Sequence, residues 1–223
     1  MTTALFSALK KEAVHLIGAL NFSPKLETLG PARIARTTLG TEELVLAVTG
    51  IGKVPAALAC QAVIDRFSLD RIVLVGTAGS LSPQLAPGEL IVPDRVVAID
   101  TGPLIPSWIE TDPALTAALV DACAAADPRA AIHGGGLVTR DQPLLDARER
   151  LAVEQRWKAL AVDMEAAAVA HAARANNIPL GIVKAITDRA DKEAENAFRQ
   201  NLDFAAERIS RVLFRFFQKG ITE

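Results

Sequence analysis

Residues 159–191 constrain the fold of this chain more strongly than any other segment. They contain two short apolar runs, 159–162 and 180–186, separated by an alanine-rich stretch that stops before Pro179. The order of strand, helix and strand is typical of a βαβ unit, and such units build α/β sheets. We therefore predict an α/β protein whose sheet includes both apolar runs.

Acidic residues follow each of these two runs. Asp163 and Glu165 come after the first, and Asp188 comes after the second. Ligands of open α/β sheets bind beyond the carboxyl ends of the strands, so Glu165 and Asp188 could converge on one ligand. Taken singly, each carboxylate could instead cap a helix or favour its first turn. The pair, at the ends of two strands that we expect to be adjacent, favours a ligand site.

The composition narrows the class of protein. The chain has 223 residues, half of them hydrophobic, and a net charge of −2, which predicts one domain over residues 1–223 and no surface for nucleic acid. Cys60 and Cys123 form no CxxC pair, and the histidines fit no metal-ligand spacing, so we expect no metal. No apolar run reaches the ~18 residues of a membrane span, and the N-terminal run is too short for a signal peptide. We expect a cytoplasmic protein.

Hydrophobic periodicity and helix-end signals predict the remaining elements. The predicted strands cover residues 3–9, 44–49, 71–75, 89–92, 96–99 and 134–139, and the predicted helices begin near Glu12 and cover 55–67, 112–126, 144–157 and 194–218. Residues 21–43 are predicted to be irregular with a hairpin arm at 33–38, and residues 101–111, which include Pro103 and Pro106, are predicted to form a loop.

Two glycine-containing segments follow predicted strands. Gly50-Ile51-Gly52 could begin a dinucleotide-binding fingerprint, but Pro55 stands where the third glycine is required, so we interpret it as a strand-to-helix turn. Residues 76–80, Gly-Thr-Ala-Gly-Ser, are predicted to form a turn whose small side chains let the backbone approach a ligand. A tight turn without a ligand is the alternative for this segment.

Six motifs, taken in order, resemble the nucleoside phosphorylase/nucleosidase family, and most closely the 5′-methylthioadenosine/S-adenosylhomocysteine nucleosidases. They are residues 8–12 (ALKKE), 49–54 (TGIGKV), 76–79 (GTAG), 88–92 (GELIV), 162–167 (VDMEAA) and 184–191 (KAITDRAD). The resemblance implies a single-domain three-layer sandwich with a central mixed β-sheet flanked by helices. It also implies a small-molecule nucleoside substrate, no cofactor, and a homo-oligomer, with a dimer favoured.

The resemblance assigns roles to residues that match the family's motifs. It implies that Asp188 protonates the departing purine, that Glu165 binds the ribose hydroxyls, and that Glu12 activates the attacking water. Met164 and Phe198 would pack against the sugar. The remaining implied binding residues are Thr77, Ala78, Gly79 and Leu144, of which Thr77 lies near the water and Leu144 offers backbone groups to the base.

The chain departs from the family in residues that affect specificity. Pro143 stands where an aromatic residue usually stacks on adenine, and the segment after Asp94 is shorter than in the family. Stacking contributes about 1 kcal/mol beyond burial, so the resemblance leaves the base and the 5′ substituent open.

The nucleophile is a second open question. Residues 8–12 carry no arginine of the kind that phosphorylases use for phosphate, and Glu12 there suits a base for water. The sequence assigns no position to Arg33, Arg36, Arg95 or Arg140. We expect hydrolysis. The alternatives are a phosphate-dependent phosphorylase, including a hopanoid-associated type with phosphate as co-substrate, and a catalytically silent nucleoside-binding protein.

Overall fold

The structure is a computed structural model that describes residues 1–102 and 107–218. The strands are β1 (Thr2–Ser7), β2 (Glu27–Leu29), β3 (Ala32–Leu39), β4 (Glu42–Val48), β5 (Arg71–Ser80), β6 (Leu90–Ala98), β7 (Ile109–Glu110), β8 (Ile132–Thr139), β9 (Ala159–Asp163) and β10 (Leu180–Asp188). The helices are α1 (Lys10–Ala19), α2 (Lys53–Arg66), α3 (Pro113–Ala126), α4 (Ala147–Trp157), α5 (Ala166–Ala175) and α6 (Ala194–Gln218).

One mixed sheet contains all of these strands, in the order β10-β6-β8-β9-β5-β1-β4-β3-β2, with β7 paired to β6. Strand β10 also pairs in parallel with β5, so β5, β10, β6, β8 and β9 form a closed ring. Because a ring brings strand ends from distant parts of the sequence to one rim, it gathers the segments that follow β5, β8, β9 and β10.

Helices cover both faces of the sheet. One hydrophobic cluster joins the strands to α2 and α5, and a second joins them to α1, α3 and α6. Strand β10 is buried along its whole length, as expected for a strand with helices on both sides. The predicted mixed α/β sheet flanked by helices is confirmed.

Side-chain caps fix where two helices begin. The Asp112 carboxylate accepts a hydrogen bond from Leu115 N at 2.8 Å, and Pro113 occupies the first turn of α3, as predicted. Asp146 accepts from the amides of Arg148 and Glu149, so α4 begins later than expected. Leu144 therefore lies in the loop before α4 rather than in the helix.

Three predictions of irregular or broken structure are wrong. Residues 76–80 are not a turn, because they continue β5 and pair with β9 and β10. The two strands expected at 89–92 and 96–99 are one strand, β6, which tolerates Pro93 at a break in its register with β8. Residues 21–43 are not irregular throughout, because they contain β2 and β3, whose antiparallel pairing supplies the order that the local sequence lacks. The hairpin arm predicted at 33–38 is confirmed, since it lies in β3 and pairs antiparallel with β4.

The expected adjacency of the two strands of the βαβ unit is also wrong. Strand β9 pairs with β8 and with the end of β5, whereas β10 pairs with β5 and β6. The tail of β5 thus lies between the two strand ends. The loop expected at 101–111 contains the short strand β7, and its Pro103 and Pro106 lie outside the described residues.

Candidate active site

A cavity of about 300 Å³ lies at the rim where the segments after β1, β5, β8, β9 and β10 meet. All nine residues predicted from the sequence to form the site line it: Glu12, Thr77, Ala78, Gly79, Leu144, Met164, Glu165, Phe198 and Asp188. The structure therefore brings the complete predicted set together. The lining residues that the prediction did not include are Ala8, Leu9, Ile51, Gln142, Pro143, Leu145, Val162, Asp163, Lys184, Thr187, Ala190, Ala194 and Glu195.

Glu12 lies in the first turn of α1 and is buried. Its Oε1 accepts hydrogen bonds from the amide and hydroxyl of Thr77 at 3.0 and 3.1 Å, and its Oε2 accepts from Ser7 Oγ at 2.7 Å and Leu9 N at 3.1 Å. These four donors fix the orientation of the carboxylate. Ser7 Oγ also lies 3.4 Å from Leu9 O, so its hydroxyl has a second acceptor when Glu12 binds another donor.

Glu165 immediately precedes α5 but does not cap it, since its Oε1 instead accepts from Gly52 N at 2.8 Å. Burial raises the pKa of Glu165 to about 7. The charge of Lys184 opposes that shift, and the nearby carboxylates of Asp163 and Glu12 add to it. A carboxyl with such a pKa exchanges its proton near neutral pH.

Asp163 takes the capping role that the sequence allowed for either acid. It accepts from Ala166 N at 3.0 Å and from Thr139 Oγ1 at 2.6 Å, and it forms an ion pair with Lys184 Nζ at 2.9 Å. The side chains of Asp163 and Lys184 are only 1% and 2% exposed, so their charges must be paired within the protein.

Lys184 is the site residue that the sequence reasoning missed. Burial alone would lower the pKa of this lysine, but the carboxylates of Asp163, Glu165 and Glu12 outweigh burial and raise it. Lys184 is therefore a buried ammonium at the floor of the cavity. The sequence could have indicated this residue, because Lys184 lies inside the apolar run 180–186. A charge in a strand buried on both faces must be paired, so a lysine there predicts a buried acidic partner.

Asp188 ends β10 beside the tail of β5. Its Oδ1 accepts from Ala190 N at 2.9 Å and its Oδ2 from Thr187 Oγ1 at 2.8 Å. Burial raises the pKa of Asp188, and these two hydrogen bonds oppose the shift without cancelling it. The group is therefore a stronger candidate proton donor than an exposed aspartate.

Two glycines of β5 make room for the carboxylates. A Cβ added at Gly76 would lie 3.1 Å from Glu12 Oε1, and one added at Gly79 would lie 2.9 Å from Asp188 Oδ1. Gly76 also has a φ of +145°, a conformation that side-chain-bearing residues rarely adopt. The small residues at 76–79 thus admit two protein carboxylates, which the turn interpretation did not anticipate.

Comparison with known proteins identifies the family. Residues 2–218 match the family model of the phosphorylase superfamily. The chain belongs to this superfamily. The 5′-methylthioadenosine/S-adenosylhomocysteine nucleosidase of Bacillus thuringiensis (strain Al Hakam) is 29% identical over 218 residues, which cover 92% of this chain and 94% of that relative.

Solved structures agree with this membership. The corresponding nucleosidase of Neisseria meningitidis, in complex with methylthio-immucillin-A, superposes with a TM-score of 0.91 at 26% identity, covering 98% of this chain and 99% of that one. The Helicobacter pylori nucleosidase gives a TM-score of 0.92 at 23% identity, with 98% of both chains covered. The fold expected from the sequence motifs is therefore confirmed.

Phosphorylases of this superfamily must bind phosphate, and the cavity has few groups suited to it. Its lining, in the described part of the chain, contains no arginine. Arg140 pairs with Glu149 and Arg36 contacts Glu43, and neither arginine lines the cavity. The other two arginines without an assigned position also lie elsewhere: Arg33 donates to a loop carbonyl, and Arg95 lies over a tryptophan ring.

Neither a metal site nor a membrane helix is found in residues 1–102 and 107–218. No group of three or more His, Cys, Asp or Glu side chains there could hold a metal ion. None of the helices in this part of the chain is long and apolar enough to cross a membrane.

Proposed function

We propose that this protein hydrolyses the N-glycosidic bond of an adenine nucleoside, with 5′-methylthioadenosine and S-adenosylhomocysteine as the first candidates. The observation that carries the proposal is the convergence of Glu12, Glu165 and Asp188 on one cavity. The names of the relatives support the choice of substrate. In this reaction the bond from C1′ to the base breaks, the base keeps the electron pair, and water oxygen bonds to C1′.

Asp188 is the proposed general acid. Leaving-group departure puts negative charge on the purine, and a proton delivered to N7 stabilises it. The raised pKa of Asp188 keeps the carboxylic acid populated closer to neutral pH, which is the condition for this role. Ala190 N and Thr187 Oγ1 fix the orientation of the carboxyl group.

Glu165 and Glu12 act on the sugar side in the same proposal. The Glu165 carboxylate accepts hydrogen bonds from the ribose hydroxyls, and its charge stabilises the positive, oxocarbenium-like sugar. Glu12 takes a proton from the attacking water, and Thr77 positions that water beside it. Met164 and Phe198 pack on the ribose, while Ala78, Gly79 and Leu144 form the site of the base.

Water is favoured over phosphate because of the charge around the nucleophile. The described lining has four buried carboxylates, Glu12, Asp163, Glu165 and Asp188, and one buried cation, Lys184, which is already paired with Asp163. A phosphate dianion would be repelled by these acids and would find no arginine fork to bind it. In this proposal the chain's own carboxyl groups supply the acid and the base, and no metal or other cofactor takes part.

We also propose that two copies of the chain associate through α2. Val54 and Leu58 are one turn apart on α2, and Ile51 lies just before the helix. All three are 55–66% exposed, so they offer apolar surface at the start of α2. Ile51 and Leu145 both line the cavity and are exposed, so a second copy on this face would also cover the cavity mouth. Val54→Glu should convert a dimer into a monomer in analytical ultracentrifugation, and an unchanged mass would exclude this interface.

The remaining expectations belong to the same proposal. Residues 1–223 would act as one domain, which is supported by a single sheet running from Thr2 to Asp188 and by α6 packing on it. A cytoplasmic location is supported by Cys60 and Cys123, which are both free and buried, because free thiols suit a reducing compartment.

Product analysis tests the reaction. The protein is incubated with methylthioadenosine, S-adenosylhomocysteine, adenosine and inosine, each with and without phosphate, and the products are separated by chromatography. We expect free adenine and free sugar, independent of phosphate. Sugar 1-phosphate formed only with phosphate would replace the proposal with a phosphorylase, and tight nucleoside binding in calorimetry without any product would replace it with a silent binder.

A further inference from the structure

Three charged side chains connect the loops outside the cavity, and we call them the rim clasp: Lys53, Asp100 and Asp141. Lys53 begins α2, Asp100 follows β6, and Asp141 follows β8. The Lys53 ammonium donates to Asp100 and lies 3.5 Å from Asp141 Oδ2. The clasp thus joins three segments that are distant in sequence.

Backbone amides extend the clasp. Lys53 N donates to Asp141 Oδ1 at 2.8 Å, and Asp141 N donates to Asp100 Oδ2 at 2.8 Å. Each member therefore contacts both others, which fixes the three loops as a triangle. Lys53 is the only cation of the triangle, and its side chain is 16% exposed.

One side of the clasp supports Glu165. The amide of Gly52, directly before Lys53, donates to Glu165 Oε1 at 2.8 Å. Gly52 has a φ of +99°, and a Cβ there would lie 3.3 Å from Asp141 Oδ1. Two successive amides at the start of α2 thus hold two carboxylates, Glu165 in the cavity and Asp141 at its rim, so a shift of Lys53 would move the donor of Glu165.

The other side of the clasp supports the loop of residues 142–145, which the proposed function places beside the base. Gln142, Pro143, Leu144 and Leu145 follow Asp141 directly and line the cavity. These four residues form no helix or strand before α4 begins. Its position therefore depends strongly on the anchor at Asp141.

Charge makes Lys53 the member on which the clasp depends. Partial burial would raise the pKa of Asp100, but hydrogen bonds from the Lys53 side chain and the Asp141 amide outweigh it and the pKa is lowered. Without the lysine, the carboxylates of Asp100 and Asp141 would face each other as like charges. The loop after Asp141 would then move away from Asp100.

We propose that Lys53 is a positioning residue that sets the geometry of substrate binding from outside the cavity. It holds the loop of residues 142–145 against the base and the Gly52 amide against Glu165. The kinetic part of this inference rests on the proposed nucleoside hydrolysis, whereas the structural part concerns the free protein.

Hydrogen exchange on the free protein tests the structural part. In Lys53→Met, the amide of Asp141 should exchange at least about tenfold faster, since its acceptor is no longer held in place. Lys53→Arg keeps the charge and should restore protection. Lys25→Met, a change at an exposed lysine, should leave this amide unaffected. Unchanged exchange in Lys53→Met would overturn the clasp, whatever the protein's activity.

Kinetics tests the functional part. Lys53→Met should raise KM for the nucleoside by about tenfold, the effect of losing one charge-assisted hydrogen bond, with kcat within about threefold of the original value because the acid and base are unchanged. A fall in kcat at constant KM would overturn the positioning role. If Lys53→Met does not fold, Asp100→Ala keeps the lysine and must show the same two changes. Loss of protection in a protein that cleaves no nucleoside would refute the function and leave the clasp standing.

Discussion

Asp163 and Glu165 are two positions apart at the end of β9, yet their surroundings differ. The Asp163 carboxylate accepts from Thr139 and Ala166 and pairs with Lys184. Within the described residues, Glu165 accepts only from Gly52 N, and its carboxylate lines the cavity. The oxygens of Asp163 are thus used in contacts that stabilise the fold, whereas Glu165 can still accept hydrogen bonds from a ligand.

The difference separates carboxylates that stabilise the fold from carboxylates that are available for chemistry. Burial alone does not make the distinction, since both residues, backbone included, are 5% exposed. What distinguishes them is the number of protein donors and the presence of a paired cation. Substitutions at four acids of the cavity test this distinction, and they are taken from the largest expected effect to the smallest.

Glu12→Gln should have the largest effect. An amide cannot take a proton from water, so hydrolysis should fall by about 10⁴-fold, the upper range for a general base. The amide oxygen can still accept from the amide and hydroxyl of Thr77, and the new NH2 group can donate to the Ser7 hydroxyl, so calorimetry should show substrate binding within about threefold of the original affinity. Turnover that survives in the presence of phosphate would contradict the water-activating role.

Asp188→Asn should lower kcat by about 10²–10⁴-fold, the usual contribution of a general acid. The asparagine keeps an oxygen for Ala190 N and preserves the shape of the site, so the melting temperature should change little. The measurement is steady-state turnover of methylthioadenosine, with a thermal melt as its control. Near-normal turnover would remove Asp188 from the proton transfer.

The sequence predicted which residues come together where acidic side chains follow the predicted strands, and the structure places them on one cavity. Glu165 and Asp188 follow apolar runs, and the geometry of an α/β sheet brings such positions to one rim. The convergence at one rim depends on where the strands end rather than on which strands pair. It is therefore seen in the structure, although the adjacency of β9 and β10, on which the preference for a ligand site also rested, is wrong.

The prediction of the fold failed where strand pairing overrides the conformation that the local sequence prefers. Gly76 and Gly79 indicate a turn by composition, but β9 and β10 supply backbone partners and extend β5 through them. Pro93 suggested a break, and β6 accommodates it at an irregular register. The ring closure of the sheet depends on contacts between distant segments, which local patterns do not encode.

Asp163→Asn should lower the stability of the fold rather than remove a group that reacts with the substrate. Removing one partner of a buried ion pair leaves Lys184 uncompensated, which costs about 3–5 kcal/mol of unfolding free energy. Urea denaturation measures this loss as a lower midpoint at unchanged slope. The double variant Asp163→Asn with Lys184→Met should recover part of the stability, and a single variant as stable as the original protein would show that the pair does not hold the fold.

Glu165→Gln should change stability less than Asp163→Asn does, and with the opposite sign. The pKa of Glu165 is raised from 4.5 to about 7, so the folded protein retains its proton while the unfolded chain releases it. Stability is therefore unaffected by this group below pH 4.5, falls as the pH rises from 4.5 to about 7, and stays reduced above that. Glutamine has no charge to bury and can still accept from Gly52 N.

The variant should consequently be about 1–3 kcal/mol more stable than the original protein at pH 8 and equal to it near pH 4. Urea midpoints measured across this pH range for both proteins give the comparison directly, with Asp163→Asn as the destabilised reference at pH 8. If Glu165→Gln is more stable but turns over substrate more slowly, the charge of Glu165 contributes to ligand binding and costs folding stability. If Glu165→Gln were instead destabilised as strongly as Asp163→Asn, Glu165 would be a second structural acid, and the distinction drawn from their hydrogen bonds would fail.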